Sequence, residues 1–321
     1  MSARETGVSK SKLAIYAAIT GNLAIAVTKF VAAAITGSSA MLSEGIHSTV
    51  DTGNGWLMLL GVRKSQKPPD SDHPFGHGHE LYFWTLIVGV LIFAVGGGMS
   101  VYEGIMHILH PTFPENVGWS YAVLGIAVVF EGTTWLFGWK AFNAERGRKG
   151  VVQAIHETKD PTSFTVLLED SAALLGLIFA FVGIFLGSKL GLPALDGVAS
   201  VLIGLLLCGV AVLMVYESKG LLIGEGLDHG SLKSIRALVE ADPGVERVGH
   251  LHTMYLGPHE VLLTIELRFK SDITSLEVRE SARRLRAGIQ SQHPDVTRIF
   301  FGAEAFEEGD LSRGHDGLAA D

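Results

Sequence analysis

The chain has 321 residues, 48% of them hydrophobic and 18% charged, with a single cysteine and a mean hydropathy of +0.34. Soluble chains carry roughly a quarter charged residues, so this one is polar-poor, and its apolar residues, in long unbroken blocks over the first two thirds, argue for an integral membrane protein. The lone Cys208 excludes a disulfide scaffold and any zinc site built from several thiolates, and the net charge of −8 excludes nucleic acid as the default partner.

Charge divides unevenly along the chain. Residues 1–219 hold 14 Lys and Arg against 16 Asp and Glu, while residues 220–321 hold 11 against 17. An apolar body followed by an acidic soluble one is expected, with boundaries at 1–12 for an N-terminal tail, 13–222 for a membrane domain, 223–305 for a soluble domain and 306–321 for a disordered tail.

A spanning helix needs about 20 mostly apolar residues. Six windows meet that length: Leu13–Ile35, Ser39–Val62, Leu81–Leu109, Gly118–Phe142, Thr162–Leu190 and Ala194–Tyr216. Thr36-Gly37-Ser38 makes the first two a hairpin, and breaks at His110–Pro114 and Gly191-Leu192-Pro193 end spans three and five. No removable signal peptide is expected; span one reads as an anchor. Arg4, Lys10 and Lys12, then Arg63, Lys64 and Lys67, then Arg146, Arg148, Lys149 and Lys159 all fall on one side, against Lys189 on the other. The excess of basic residues places both termini in the cytoplasm, and a bacterial inner membrane is the expected location.

Residues 225–305 change character. Ser231–Ala241 has a helical pattern, Val245–Tyr255 and Arg298–Ala303 read as strands, and Val261, Leu263, Ile265, Leu267 and Phe269 alternate with Leu262, Thr264, Glu266 and Arg268. Val278, Ala282, Leu285 and Ile289 trace one helix face. The order α-β-β-α-β predicts a small α+β domain.

Ionisable residues inside a span cost several kcal/mol unless paired or metal-bound, so each marks a functional hypothesis. Span two carries Ser43, Glu44, His47 and Asp51. His47 and Asp51 lie four residues apart, on one helix face about 6 Å apart along the axis, a spacing at which imidazole and carboxylate grip one small divalent cation. Span five carries Glu169 and Asp170 in LLEDSAALLG. Together these residues outline a divalent-metal site between helices; a buried His–Asp tie is the plainer reading of His47 and Asp51 alone. Lys29 is expected near the outer end of span one, where it snorkels. Glu103 and His107, four apart on span three, suit a proton relay or, as the favoured structural reading, a pair with each other, and Glu131 lies in span four.

The loop after span two, PPDSDHPFGHGH, concentrates zinc-ligand chemistry, and a solvated polar loop explains it as simply. His250, His252 and His259 occur in the soluble segment, the first two on one face of a strand.

These residues resemble a known family, the cation diffusion facilitators. The resemblance covers Leu13 to Ala303 and rests on GSSAMLSEGIHSTVDTGN, on KPPDSDHPFGHGHE and on the acidic span five. It is similar most of all to the zinc transporter 9 branch and its bacterial relatives. The resemblance implies an α-helical membrane protein of six spans with a cytoplasmic, metallochaperone-like α-β-β-α-β domain that dimerises. It implies a metal–proton antiporter rather than an enzyme, exporting Zn²⁺ from the cytoplasm. His47, Asp51 and Asp170 match its transport site; where the family has His or Asp four residues before Asp170, this chain has Val166. Glu169, water or Ser43 then stands as the fourth ligand. Asp70, His73 and His77 match a secondary zinc site, whereas the family's ligands in the soluble domain are not matched. A membrane-embedded metal-dependent hydrolase and a non-transporting metal-binding scaffold are the alternatives; no H-E-x-x-H favours the first.

Overall fold

In the computed structural model, residues 21–302 are described, apart from 114–115, 147–149 and 152–158. The expected tails, the start of span one, and Arg148 and Lys149 lie outside the described residues.

The described residues form two compact units, residues 21–64 with 80–219, and residues 65–79 with 220–302. The first contains helices α1 (Gly21–Thr36), α2 (Ser39–Ser65), α3 (His79–Leu109), α4 (Val117–Arg146), α5 (Pro161–Leu190) and α6 (Ala194–Ile223), the ends of some belonging to the second unit. Gly37 (φ 67°) and Gly191 (φ 68°) make the α1–α2 and α5–α6 turns in left-handed backbone, which a residue without a Cβ adopts freely. These are the breaks that the sequence placed there.

By length and composition, α3, α5, α6 and residues Val117–Lys140 of α4 are apolar enough to cross a membrane. The α2 helix is long enough, but its interior is rich in polar groups: Ser43, Glu44, His47, Ser48 and Asn54 are all buried. Large apolar residues face outward instead, among them Val129, Phe137 and Ile126. A bundle solvated by lipid sorts this way, because hydrocarbon welcomes apolar side chains and penalises unpaired polar ones. One apolar core still runs through the bundle, from Ile25 and Met41 to Leu177 and Ile203.

Helix α3 contains a π-helical turn at Ile92–Gly97, beside the Gly96-Gly97-Gly98 run. There the backbones of α3 and α6 nearly touch. A Cβ on Gly104 would stand 2.6 Å from the Gly197 carbonyl oxygen, and one on Gly204 2.8 Å from that of Gly97. Small residues permit such an approach in a membrane.

The second unit holds α7 (His229–Glu240), β1 (Val245–Gly257), β2 (Glu260–Phe269), α8 (Ser275–Gln292) and β3 (Val296–Gly302), the expected α-β-β-α-β order. β1 pairs antiparallel with β2, and β2 parallel with β3, so β2 is central. Val261, Leu263, Ile265 and Leu267 are buried as the alternation requires, against Leu285 and Ile289 of α8 and Ile235 and Val239 of α7. Thr274 caps α8 reciprocally with Glu277, and Asp228 caps α7 through the Gly230 and Ser231 amides.

Candidate metal centre

Helix α2 presents Ser43, His47, Asp51 and Asn54 at spacings of four, four and three, which aligns them along one face. His47 is 2% exposed, and its Nδ1 lies 3.4 Å from Asp51 Oδ1. Both His47 nitrogens, Ser43 Oγ, Asp51 Oδ1, Asn54 Oδ1 and, on α5, Asp170 Oδ2 are buried without a hydrogen-bond partner in the chain. A buried polar atom left unpaired costs about 1–3 kcal/mol, so a concentration of them on facing helices needs a reason beyond packing. Carboxylates near this face are Glu169 and Asp170 of α5 and Glu131 of α4, the last tied through Lys29 to Ser48 beside His47, while Trp135 of α4 donates to Ser171 beside Asp170. Their ligand atoms are spread out: among the described residues, no three of this set lie within 4.8 Å of one another. Mutual repulsion between carboxylates favours that spacing, and a cation between them would oppose it.

Glu169 is oriented by α2. Its Oε1 accepts a hydrogen bond from Asn54 Nδ2 at 2.8 Å, a partner that was not expected. The sequence signal was there: Asn54 extends the His47–Asp51 stripe by one turn.

Lys29 does not snorkel. It is fully buried, and its Nζ donates to Glu44 Oε2 at 2.8 Å, Glu131 Oε1 at 2.7 Å and Ser48 Oγ at 2.9 Å, joining α1, α2 and α4. Burying an ammonium is costly, and two carboxylates and a hydroxyl at contact distance offset that cost in place of water. Gly176 of α5 leaves room for this network, because a Cβ there would overlap Glu44 Oε1.

His107 faces Asp196 rather than Glu103, with 3.8 Å between Nε2 and Oδ2. Asp196 accepts from Ser38 Oγ at 2.8 Å and from the Ser39 amide at 2.5 Å, so it caps the start of α2 from α6. A carboxylate there also complements the helix dipole.

In the second unit, Asp70, His73 and His77 converge, each offering a ligand atom within 4.8 Å of the others. Asp70 Oδ1 lies 3.3 Å from His73 Nδ1, Asp70 Oδ2 3.4 Å from His77 Nε2, and the two imidazole rings 4.3 Å apart. The His73 backbone N–H, donating to Asp70 at 2.7 Å, holds this exposed carboxyl below its ordinary range, so it is ionised at neutral pH. The segment rests on the sheet of the same unit: His79 Nε2 is 2.9 Å from the Tyr255 carbonyl, Arg298 donates to the Phe75 carbonyl and covers its ring, and Phe75 meets Phe300 edge-on. Gly78 passes so close to Leu256 that a Cβ would overlap its carbonyl. His250 and His252 stack at 5.9 Å on β1, both exposed and without a third ligand nearby among the described residues. His259 faces Asp295 at the surface.

The model of the cation efflux transmembrane domain matches residues 15–223, and that of the cation efflux cytoplasmic domain matches residues 227–301. The chain belongs to the cation efflux family. It is 36% identical over 249 residues to the mouse protein named proton-coupled zinc antiporter SLC30A9, mitochondrial, covering 77% of this chain and 44% of that one. The chain thus spans less than half the length of this relative. Over 299 residues it is 24% identical to the Bacillus subtilis manganese efflux system protein MneP, covering 92% of this chain and 96% of that one. A nickel form of the MamM CTD covers 25% of this chain at 21% identity, with a TM-score of 0.23. The relatives that share this family are transporters by name rather than enzymes, which removes the hydrolase alternative.

Proposed function

We propose that the protein exports a divalent cation, Zn²⁺ foremost, from the cytoplasm in exchange for protons. The observation that carries this reading is the set of buried, unpartnered ligand atoms on α2 and α5: His47, Asp51 and Asp170, with Glu169 held beside them by Asn54. Imidazole and carboxylate bind metal only when deprotonated, so metal and protons compete for the same lone pairs. If the site opens alternately to each side, inward proton movement drives metal outward. The names of the relatives point to zinc in one case and manganese in another. Imidazole suits zinc better than manganese, whereas a site built only from oxygen suits the harder ion.

In this reading both termini face the cytoplasm of a bacterial cell, and the second unit pairs two copies of the chain. The Asp70, His73 and His77 cluster binds a further zinc ion there. Proteoliposomes with a preset pH gradient test the proposal: zinc flux should be proton-coupled, and Asp51→Ala and Asp170→Ala should each abolish it in folded protein. Full flux through either variant would remove that residue from the site.

A further inference from the structure

Position 166, four residues before Asp170, offers the site no lone pair, and the Val166 side chain is 46% exposed. Helix α4 brings a carboxylate to the same neighbourhood. Glu131 is only 8% exposed; Lys29 ties its Oε1 to Ser48, the neighbour of His47, and one turn along α4 Trp135 Nε1 donates at 2.9 Å to Ser171, the neighbour of Asp170.

The two oxygens of Glu131 are treated differently. Oε1 accepts from Lys29 at 2.7 Å, whereas Oε2 is buried with no hydrogen-bond partner in the chain. Lys29 has no donor to spare for it, since its other two protons go to Glu44 and Ser48. Glu44 shares this pattern, its Oε1 buried without a partner against Gly176, so neutralising Lys29 leaves one spare oxygen on each carboxylate, and only that of Glu131 comes from the helix tied to α5 beside Asp170. With all three groups ionised, Lys29, Glu44 and Glu131 carry one negative charge in excess. Two buried and unpartnered imidazole nitrogens of His47 lie on the same α2 helix as Glu44. Unsatisfied acceptors that share this interior suit a cation that takes several oxygens and a nitrogen.

We infer that Glu131 is a further ligand of the transported cation, adding Oε2 to His47, Asp51 and Asp170, while Lys29 grips the other oxygen and fixes how the carboxylate is presented. The inference rests on the transport reading above and deepens it, because it sets the class of substrate. One imidazole with three carboxylates is a harder set than a two-His, two-Asp site, and it accommodates Mn²⁺ as well as Zn²⁺.

The experiment compares half-saturating concentrations for Zn²⁺ and Mn²⁺ flux in proteoliposomes of the full chain. Glu131→Gln should raise the value for Zn²⁺ about tenfold and that for Mn²⁺ about a hundredfold, since the harder ion depends more on the lost oxygen. Glu131→Asp should fall between. The triple variant Lys29→Met, Glu44→Gln and Glu131→Gln removes the charge cluster whole and keeps the question answerable should the single variant fail to fold. It should show the same loss of Mn²⁺ over Zn²⁺. Wild-type values for both ions in the triple variant, a change within twofold in Glu131→Gln, or an equal change for the two ions would overturn the inference. Asp51→Ala separates the two readings: wild-type flux that Asp51→Ala abolishes leaves the transport reading standing whatever Glu131 does. Wild-type flux no higher than empty liposomes would sink the transport reading itself.

Discussion

Asn54 Nδ2 donates to Glu169 Oε1 at 2.8 Å, tying α2 to α5 three residues after Asp51 and one residue before Asp170. The bond spans the gap between the two helices that carry the proposed ligands, and it fixes how far apart they stand. Asn54→Leu keeps the number and branching of heavy atoms and removes the donor, leaving Glu169 without that partner. We expect a loss of about 1–3 kcal/mol in stability, the cost of a buried acceptor left without its donor, together with weaker zinc binding. Thermal unfolding in detergent and zinc titration of the same sample measure both; an unchanged melting temperature would show that the bond holds nothing.

Lys29→Met should be among the most destabilising substitutions in the bundle. It strands the Glu44 and Glu131 carboxylates without their shared cation, and breaking a buried pair costs about 3–5 kcal/mol. Adding Glu131→Gln to Lys29→Met should recover part of that stability, because fewer unpaired charges stay buried. A double variant no more stable than the single one would argue against coupling between the two residues.

At the α3–α6 crossing, Gly104→Ala would push a methyl group to 2.6 Å from the Gly197 carbonyl oxygen. Overpacking of this kind costs about 1–3 kcal/mol. The same change at Gly118, where a Cβ would meet nothing within 4 Å, should be neutral. Comparing the two melting temperatures isolates the close approach from any effect of glycine itself.

The loop cluster makes a separate prediction about stoichiometry. His73→Ala or Asp70→Ala should lower the zinc bound at equilibrium by one ion per chain, since two ligands alone hold zinc poorly. Dialysis against a zinc buffer followed by elemental analysis reads this directly. An unchanged ratio in both variants would mean that the cluster binds no zinc.

In the second unit, burial alone would raise the Asp242 carboxyl, but hydrogen bonds from Arg284 and Ser281 outweigh it and hold the group below its ordinary value of 3.8. A carboxyl lowered in the folded state stabilises fully above its unfolded value and loses that contribution as pH falls through the folded one. Protection factors of the second unit's amides, which allow for the slower intrinsic exchange in acid, should therefore fall below about pH 4. Asp242→Asn should remove this part of the acid sensitivity and cost about 1–3 kcal/mol near neutral pH, by leaving Arg284 and Ser281 short of an acceptor. The same acid response in the variant would assign it to other carboxylates.

Much of the fold follows from the sequence, because the relevant signals are local. Apolar runs of spanning length, glycine turns at Gly37 and Gly191, and the alternation from Val261 to Leu267 each depend on neighbours within a few residues. The same holds for half of the candidate site: His47 and Asp51 share a face because a helix repeats every 3.6 residues. What lies between helices was not legible. Lys29 reads as a snorkelling residue until α4 supplies Glu131, 102 positions further along the chain. Helical spacing sets His107 beside Glu103, yet its carboxylate partner is Asp196 on another helix. Spacing along the chain sets which residues share a face, whereas the charge that meets them comes from distant segments, and only their packing decides which buried groups are paired. The scarcity of charge in the sequence marks this as a membrane protein; where the few charges meet is a property of the tertiary structure.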